Sequence, residues 1–279
     1  MSTPRTIFSI CDVVDDPKSV EYAVTTAAKA GAHLVVALIG IRPMLPVDIN
    51  GSAPVEWWTQ ENEKVIDQLA AVGRELGERF SRENISGEVV PHHVGEESVM
   101  SVAATHARYA DISLGLPKTL REGRIWGSAM PGLLFHSGRP MLLPAEGRTP
   151  NLSPERVLVA WNGSKEAAAA VYASIDFLKS ARTVHVTMVD PVAEEERLGE
   201  EPGNDIGAYL ARHGISIVVD RLPSEGRGVG HTILRHANDV DADLIVAGAY
   251  GHSRLREFVF GGVTLSLMEA ADRPVLFAH

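Results

Sequence analysis

The sequence predicts an α/β protein of two tandem open parallel five-stranded sheets, each with helices on both faces. Three observations lead there. Short apolar runs alternate with helix-length amphipathic stretches, the pattern of a parallel sheet covered by helices. The order of elements occurs twice in 279 residues. A Pro-, Gly- and polar-rich segment, Ala145 to Pro154 (AEGRTPNLSP), separates the two copies and reads as a linker. The predicted domains are therefore 1–145 and 155–279, each of ordinary domain size.

In the first copy the apolar runs place strands near 5–11, 33–41, 87–93, 111–115 and 140–144. The stretch Met44 to Gln60, with Pro46 and Pro54, reads as an extra loop, and Trp58 to Arg82 as a helix. In the second copy strands are expected near 156–161, 183–189, 215–222, 243–248 and 274–278. Helices are expected near 164–180, 203–213, 229–240 and 263–272. The copies match most closely at their ends. Gly127 to Arg139 (GSAMPGLLFHSGR) parallels Gly261 to Arg273 (GGVTLSLMEAADR), and each runs into Pro and an apolar strand. Upstream, Ala110-Asp111-Ile112 parallels Ala242-Asp243-Leu244.

Composition narrows the function classes. A net charge of −10 disfavours non-specific binding to nucleic acid or to an anionic membrane. The single cysteine, Cys11, allows no intrachain disulfide and suits a reducing compartment. No apolar run approaches the length of a membrane span, and the N-terminus lacks a signal-peptide core. The expected location is the cytoplasm. The acidic runs Glu194–Glu196 and Glu200–Glu201 read as solvated loop.

The most informative segment is Gly248 to Thr264, GAYGHSRLREFVFGGVT. It joins the apolar run Leu244–Ala247 to a helix starting near Gly262. A helix start offers unpaired N–H groups and the positive end of the dipole, and glycines let a phosphate approach the backbone. The spacing Gly248, Gly251, Gly261 resembles the nucleotide signature G-x2-G-x9-G-[S/T] of universal stress proteins. The whole chain resembles a tandem member of that family, strongly in the second half and weakly in the first. The resemblance implies the universal stress protein (adenine nucleotide α-hydrolase-like) fold. It also implies ATP bound in the second half, with Mg2+ held mainly through phosphates and water.

Carried over position by position, the resemblance assigns Ala160, Trp161 and Asn162 to the adenine turn and Val189 to the adenine and ribose side. Gly248, Tyr250 and Gly251 form one phosphate-side loop, and Gly261, Gly262, Val263 and Thr264 the other. Two positions depart from the family: Asn162 replaces the usual Asp, and Gly262 stands where ATP binders carry Ser or Thr. In the first half Gly115, Gly127 and Ser128 are the remnant of such a site, with Asp12 or Asp15 at the adenine turn. Lys118 and Pro117 break the first loop there. Relatives pair their last strands antiparallel, which implies an intrachain pseudo-dimer through Met141–Leu143 and Val275–Phe277. A homodimer of the whole chain is a further expectation.

Other chemistry is sparse. No P-loop, G-x-S-x-G elbow or HxGH motif occurs. Gly226 to Gly230 lacks dinucleotide spacing and reads as a loop leading to a helix. His92 and His93 alternate on a strand, and His231 and His236 are badly spaced for one helix face, so neither pair predicts a metal site. Arg254 and Arg256 read as surface arginines, with phosphate contact as the alternative. No residue is placed as a general base, so any ATP hydrolysis would be slow. The alternative function is a scaffold or signalling protein that binds no nucleotide and acts through protein contacts.

Overall fold

A computed structural model describes residues 4–14, 20–45, 54–115, 123–145, 149–191, 201, 203–249 and 262–279. The chain divides into two compact units, Pro4–Ser137 and Gly138–His279. The first contains β1 (Thr6–Asp12), β2 (His33–Ile41), β3 (Gly87–Val94) and β4 (Ile112–Leu114), ordered β3-β2-β1-β4 and parallel throughout. Its helices are α1 (Glu21–Ala30), α2 (Val55–Arg82), α3 (Glu96–Ala107) and α4 (Trp126–Pro131), the last running into a π-helical turn, Gly132–His136. Phe8, Ile10, Leu34, Leu38 and Ile112 are fully or almost fully buried, as strands covered on both faces require.

The expected loop Met44 to Gln60 is shorter than the sequence suggests, because α2 already begins at Val55. The Trp58 indole Nε1 donates to the Pro43 carbonyl at 2.8 Å and ties this helix start to the end of β2. Helix α2 then crosses β2 closely. A Cβ on Gly40 would meet Leu69 Cδ1 and Val65 Cγ1 at 2.7 Å.

The second unit contains β5 (Met141–Leu143), β6 (Arg156–Ala160), β7 (Thr183–Val189), β8 (Ile217–Leu222), β9 (Leu244–Gly248) and β10 (Val275–Ala278), ordered β5-β10-β9-β6-β7-β8. All neighbours are parallel except β5, which pairs antiparallel with β10 through Leu143↔Val275, Leu142↔Leu276 and Met141↔Phe277. These six residues are buried, so the apolar edge of β10 is covered. The helices are α5 (Lys165–Ala173), α6 (Ile175–Ser180), α7 (Asn204–Arg212), α8 (Val229–Asp239) and α9 (Gly262–Ala270). The single helix expected over 164–180 is divided at Ser174. That residue is buried and its hydroxyl donates to the Val171 carbonyl at 3.1 Å, turning the chain after α5.

The open, mostly parallel α/β class expected from the sequence is the one the chain adopts. Among the described residues the strands divide as four and six between the compact units, because β5 ladders onto β10. Among the described residues no helix is long and apolar enough to cross a membrane.

Candidate functional site

In the second unit the strand order reverses between β6 and β9. From β6 the chain proceeds outward to β7 and β8, then returns to β9 on the other side. Open α/β sheets bind ligands in the crevice outside the carboxyl ends of the strands at such a switch point. Here the crevice is flanked by the ends of β6 at Ala160 and β9 at Gly248, whose strands pair through Ala160↔Ala247.

The turn after β6 is tightly specified. Trp161 N–H donates to the Thr187 carbonyl at 2.9 Å, which fixes the turn to β7. Asn162 is exposed, and its Oδ1 accepts from Ser164 N–H at 3.1 Å. Gly163 follows with a φ of 72°, a conformation glycine adopts without strain. Ser164 then caps α5, its Oγ accepting from Ala167 N–H at 3.1 Å. The Asn162 side-chain oxygen is thus used by the turn, and its amide group is what it can offer a ligand. Val189 is half-buried at the end of β7. Beside it Asp190 has a φ of 48°, and its carboxylate accepts from Ser224 N–H at 2.9 Å. Hydrogen bonds from Ser224 hold the Asp190 carboxyl below the usual carboxylate range.

Gly248 has a packing reason as well as a place at the crevice. A Cβ there would come within 2.5 Å of Ala167 N and of the Glu166 carbonyl carbon. The end of β9 and the first turn of α5 therefore touch backbone to backbone. Gly262 is the opposite case. It opens α9, is exposed, and among the described residues an added Cβ would meet nothing within 4 Å. Val263 is half-buried and Thr264 is 4% exposed, so what this helix start turns outward is chiefly backbone. Tyr250, Gly251 and Gly261 lie outside the described residues, as do Arg254 and Arg256.

The first unit can be aligned with the second by its hydrogen bonds. Asp111 Oδ2 accepts from the N–H groups of Arg5 and Thr6 at 2.7 and 3.0 Å. Asp243 Oδ2 accepts from Glu155 and Arg156 at 2.8 and 2.9 Å. Thr6 is thus the counterpart of Arg156, and Asp12 that of Asn162. The pairings Ile7↔Ile112 and Val157↔Leu244 likewise set Gly115 level with Ala247 rather than Gly248.

Asp12 is only 2% exposed. It is held by both forks of Arg124, from Nε to Oδ2 at 3.0 Å and from Nη2 to Oδ1 at 2.9 Å. Arg124 stands just before α4, where Gly127 is exposed and Ser128 half-buried. Gly115 is buried, and its carbonyl accepts from Tyr22 Oη at 2.6 Å. Of the remnant positions of the first unit, Asp12 is thus held in an ion pair and Gly115 in a hydrogen bond with Tyr22. Asp15, Pro117 and Lys118 lie outside the described residues.

Sequence spacing gave no sign of one further cluster. His185 Nδ1 on β7 and His236 Nε2 on α8 each lie 2.9 Å from Asp220 Oδ2 on β8. The three residues are far apart in sequence, so no motif marks them. In the first unit His92 Nε2 and His106 Nε2 lie 2.8 Å apart, and burial followed by the neighbouring His106 lowers the pKa of His92.

Comparison with known proteins finds similarity in the second half. Residues 154–279 match the universal stress protein family model. The stress response protein NhaX of Bacillus subtilis (strain 168) is 24% identical over 159 residues, covering 44% of this chain and 96% of that protein. A universal stress protein from Archaeoglobus fulgidus DSM 4304 has the same fold across both halves, with a TM-score of 0.63. Its identity is 17%, covering 97% of this chain and 95% of that one. A universal stress protein solved in complex with cAMP is 21% identical over 46% of this chain and 98% of its own, at a TM-score of 0.37.

Proposed function

We propose, from the premise that residues 154–279 form a universal stress protein domain, that the chain is a stress-response regulator whose second unit binds ATP. One observation carries this reading. The switch point between β6 and β9 is flanked by an exposed turn at Asn162, and Gly262 opens α9 with no described residue within 4 Å of an added Cβ. A helix start of this kind presents N–H donors to an anion, and the position at a switch point is where open α/β sheets take nucleotides. Ala160, Trp161, Asn162 and Val189 would face the base and ribose. Gly248, Tyr250, Gly251 and Gly261 to Thr264 would face the phosphates, with Mg2+ on the phosphate oxygens. The proposed role is binding and signalling.

The antiparallel ladder of β5 with β10 supports pairing of the last strands of the two sequence repeats within one chain. A homodimer of the whole chain and a cytoplasmic location complete the proposal.

A second reading, a scaffold that binds no nucleotide, is favoured by two particulars. The Asn162 oxygen is engaged by its own turn, and Thr264 is buried. Calorimetric titration of the full chain with ATP, ADP and AMP separates the readings. Saturable one-to-one binding with ATP tightest is the expected result. Absence of heat with all three nucleotides, at protein concentrations that would detect micromolar affinity, moves the assignment to the scaffold.

A further inference from the structure

We propose that His185, Asp220 and His236 form a binding site for a divalent transition-metal ion of the zinc type. The three residues come from β7, β8 and α8. His185 and Thr187 share one face of β7, and Thr187 pairs across the ladder with Asp220, so His185 and Asp220 emerge on the same side of the sheet. His236 approaches from the last turn of α8. The side chains are between 12 and 18% exposed, sheltered but not sealed.

The geometry is that of convergent ligands. Two imidazole nitrogens meet one carboxylate oxygen at 2.9 Å each, and the three ligand atoms all lie within 4.8 Å of one another. A tetrahedral zinc ion with bonds of about 2.0–2.2 Å holds its ligand atoms about 3.4 Å apart. An opening of roughly half an ångström would therefore seat the ion. The rings cross at 81°, so they do not stack against one another and block the space between them.

Hydrogen bonding alone leaves this cluster unsatisfied. His185 Nδ1 has hydrogen-bond geometry to Asp220 Oδ2, but His236 Nε2 is buried and makes no hydrogen bond despite its 2.9 Å approach. A lone pair on that nitrogen would face an oxygen lone pair. A cation between them turns the repulsion into two bonds. On the same sheet face, the buried Thr187 hydroxyl has no hydrogen-bond partner either.

The donor set is two imidazoles and one carboxylate, which suits zinc and related first-row ions and leaves coordination positions for water. The ligands are also held in place. Arg273 is buried and donates from Nη1 to the carbonyls of Ala237 and Ala242 at 2.7 and 2.8 Å, which fixes the turn of α8 that carries His236. The ion would tie β8, the outermost strand of this unit, to β7 and to α8. His185 lies near the start of β7, at the opposite end of the strand from Val189, so this site is separate from the switch-point crevice.

The test uses the full chain, stripped with a chelator and passed through a desalting column. Zn(II) is titrated by calorimetry, and Co(II) is followed by its visible d–d absorption. The expected result is one ion per chain, visible Co(II) bands of low-symmetry nitrogen and oxygen ligation, and a zinc-dependent rise in melting temperature. His236→Gln and Asp220→Asn should each weaken binding beyond the roughly 10–100-fold that loss of a mere supporting partner costs. His106→Gln, in the first unit, should leave it unchanged. The proposal is overturned if the wild type takes up no stoichiometric ion, or if both folded ligand variants bind as the wild type does. Should either ligand variant fail to fold, the wild-type Co(II) spectrum and the zinc-dependent melting shift decide alone.

Discussion

The two units treat the carboxyl ends of their central strands in opposite ways. In the first, the acid at the end of β1, Asp12, is buried and held by Arg124. In the second, Asn162 holds the equivalent position, lacks the acid, and stays exposed. The first unit also keeps the hydroxyl of Ser128, whereas the second has Gly262 at the equivalent position. The position that carries the acid is buried under an ion pair, and the position that carries the amide is exposed. Motif matching alone would rank them by their side chains. The structure shows that what the neighbouring residues occupy matters as much.

The largest expected effect comes from removing the close approach that shapes the second crevice. Gly248→Ala would drive a Cβ to 2.5 Å from backbone atoms of Glu166 and Ala167, which cannot rotate away. Overpacking of this kind costs about 3 kcal/mol, read as a lower urea midpoint at unchanged slope. Unchanged stability would mean that α5 can withdraw from β9, and that the glycine is kept for a ligand alone. The next effect lies in the first unit. Arg124→Ala takes the guanidinium away from the buried Asp12 carboxylate, which keeps the hydrogen bond from Val14 N–H. Because Arg124 is itself 48% exposed, the loss should be about 2 kcal/mol rather than the larger value for a wholly buried pair. The double variant Asp12→Ala/Arg124→Ala should be less destabilised than Arg124→Ala, since no charge is then stranded. If Arg124→Ala also gains ATP affinity, the ion pair is the plug that separates the two units.

Most of the architecture was legible because parallel strands buried on both faces are near-continuous apolar runs. Thr6–Asp12, His33–Ile41 and Thr183–Val189 fall where those runs predict them. The interruption at Ser174 was not legible, because the helical apolar period continues on both sides of it. Nor was the early start of α2, where Trp58 finds a carbonyl on a distant strand end. The site was legible as far as local spacing reaches. Glycine patterns mark Gly248 and Gly262, but they do not say that one is packed against backbone and the other meets none of the described residues. Contacts between distant elements were invisible to spacing. Asp12 with Arg124 and His185 with Asp220 and His236 come together only because parallel strands bring remote segments side by side. A search for histidine pairs within one element could find neither.

Gly262→Ser sharpens the comparison by returning to the second unit the hydroxyl that the first retains. Among the described residues nothing lies within 4 Å of an added Cβ at this position, so the substitution meets no clash with them. Ser also favours a helix start. If the crevice binds ATP, the extra hydrogen bond to a charged oxygen should tighten binding by about 1 kcal/mol, roughly fivefold. Equal affinity in the two proteins would place the phosphates away from the start of α9. Binding by the variant alone would identify a site that has lost a needed contact.

The smallest effect separates the units by the company their histidines keep. His185 and His236 face a carboxylate, whereas His92 faces His106. Burial, then the neighbouring His106, lowers the His92 pKa below its ordinary 6.5. His93 is lowered as well, by burial and then by Arg42. The sign follows from linkage. Above pH 6.5 these rings are neutral in both the folded and the unfolded chain and do not bias the equilibrium. As pH falls through 6.5 the unfolded chain takes up protons that the folded chain refuses, so stability declines until the lowered folded values are passed. Denaturant midpoints measured from pH 8 to pH 5 should therefore fall on the acid side. Replacing His92 with Gln should flatten part of that fall, because the group that titrates differently in the two states is gone. An unaltered pH profile in His92→Gln would show that the acid sensitivity arises elsewhere, and the contrast between the two histidine clusters would lose its energetic meaning.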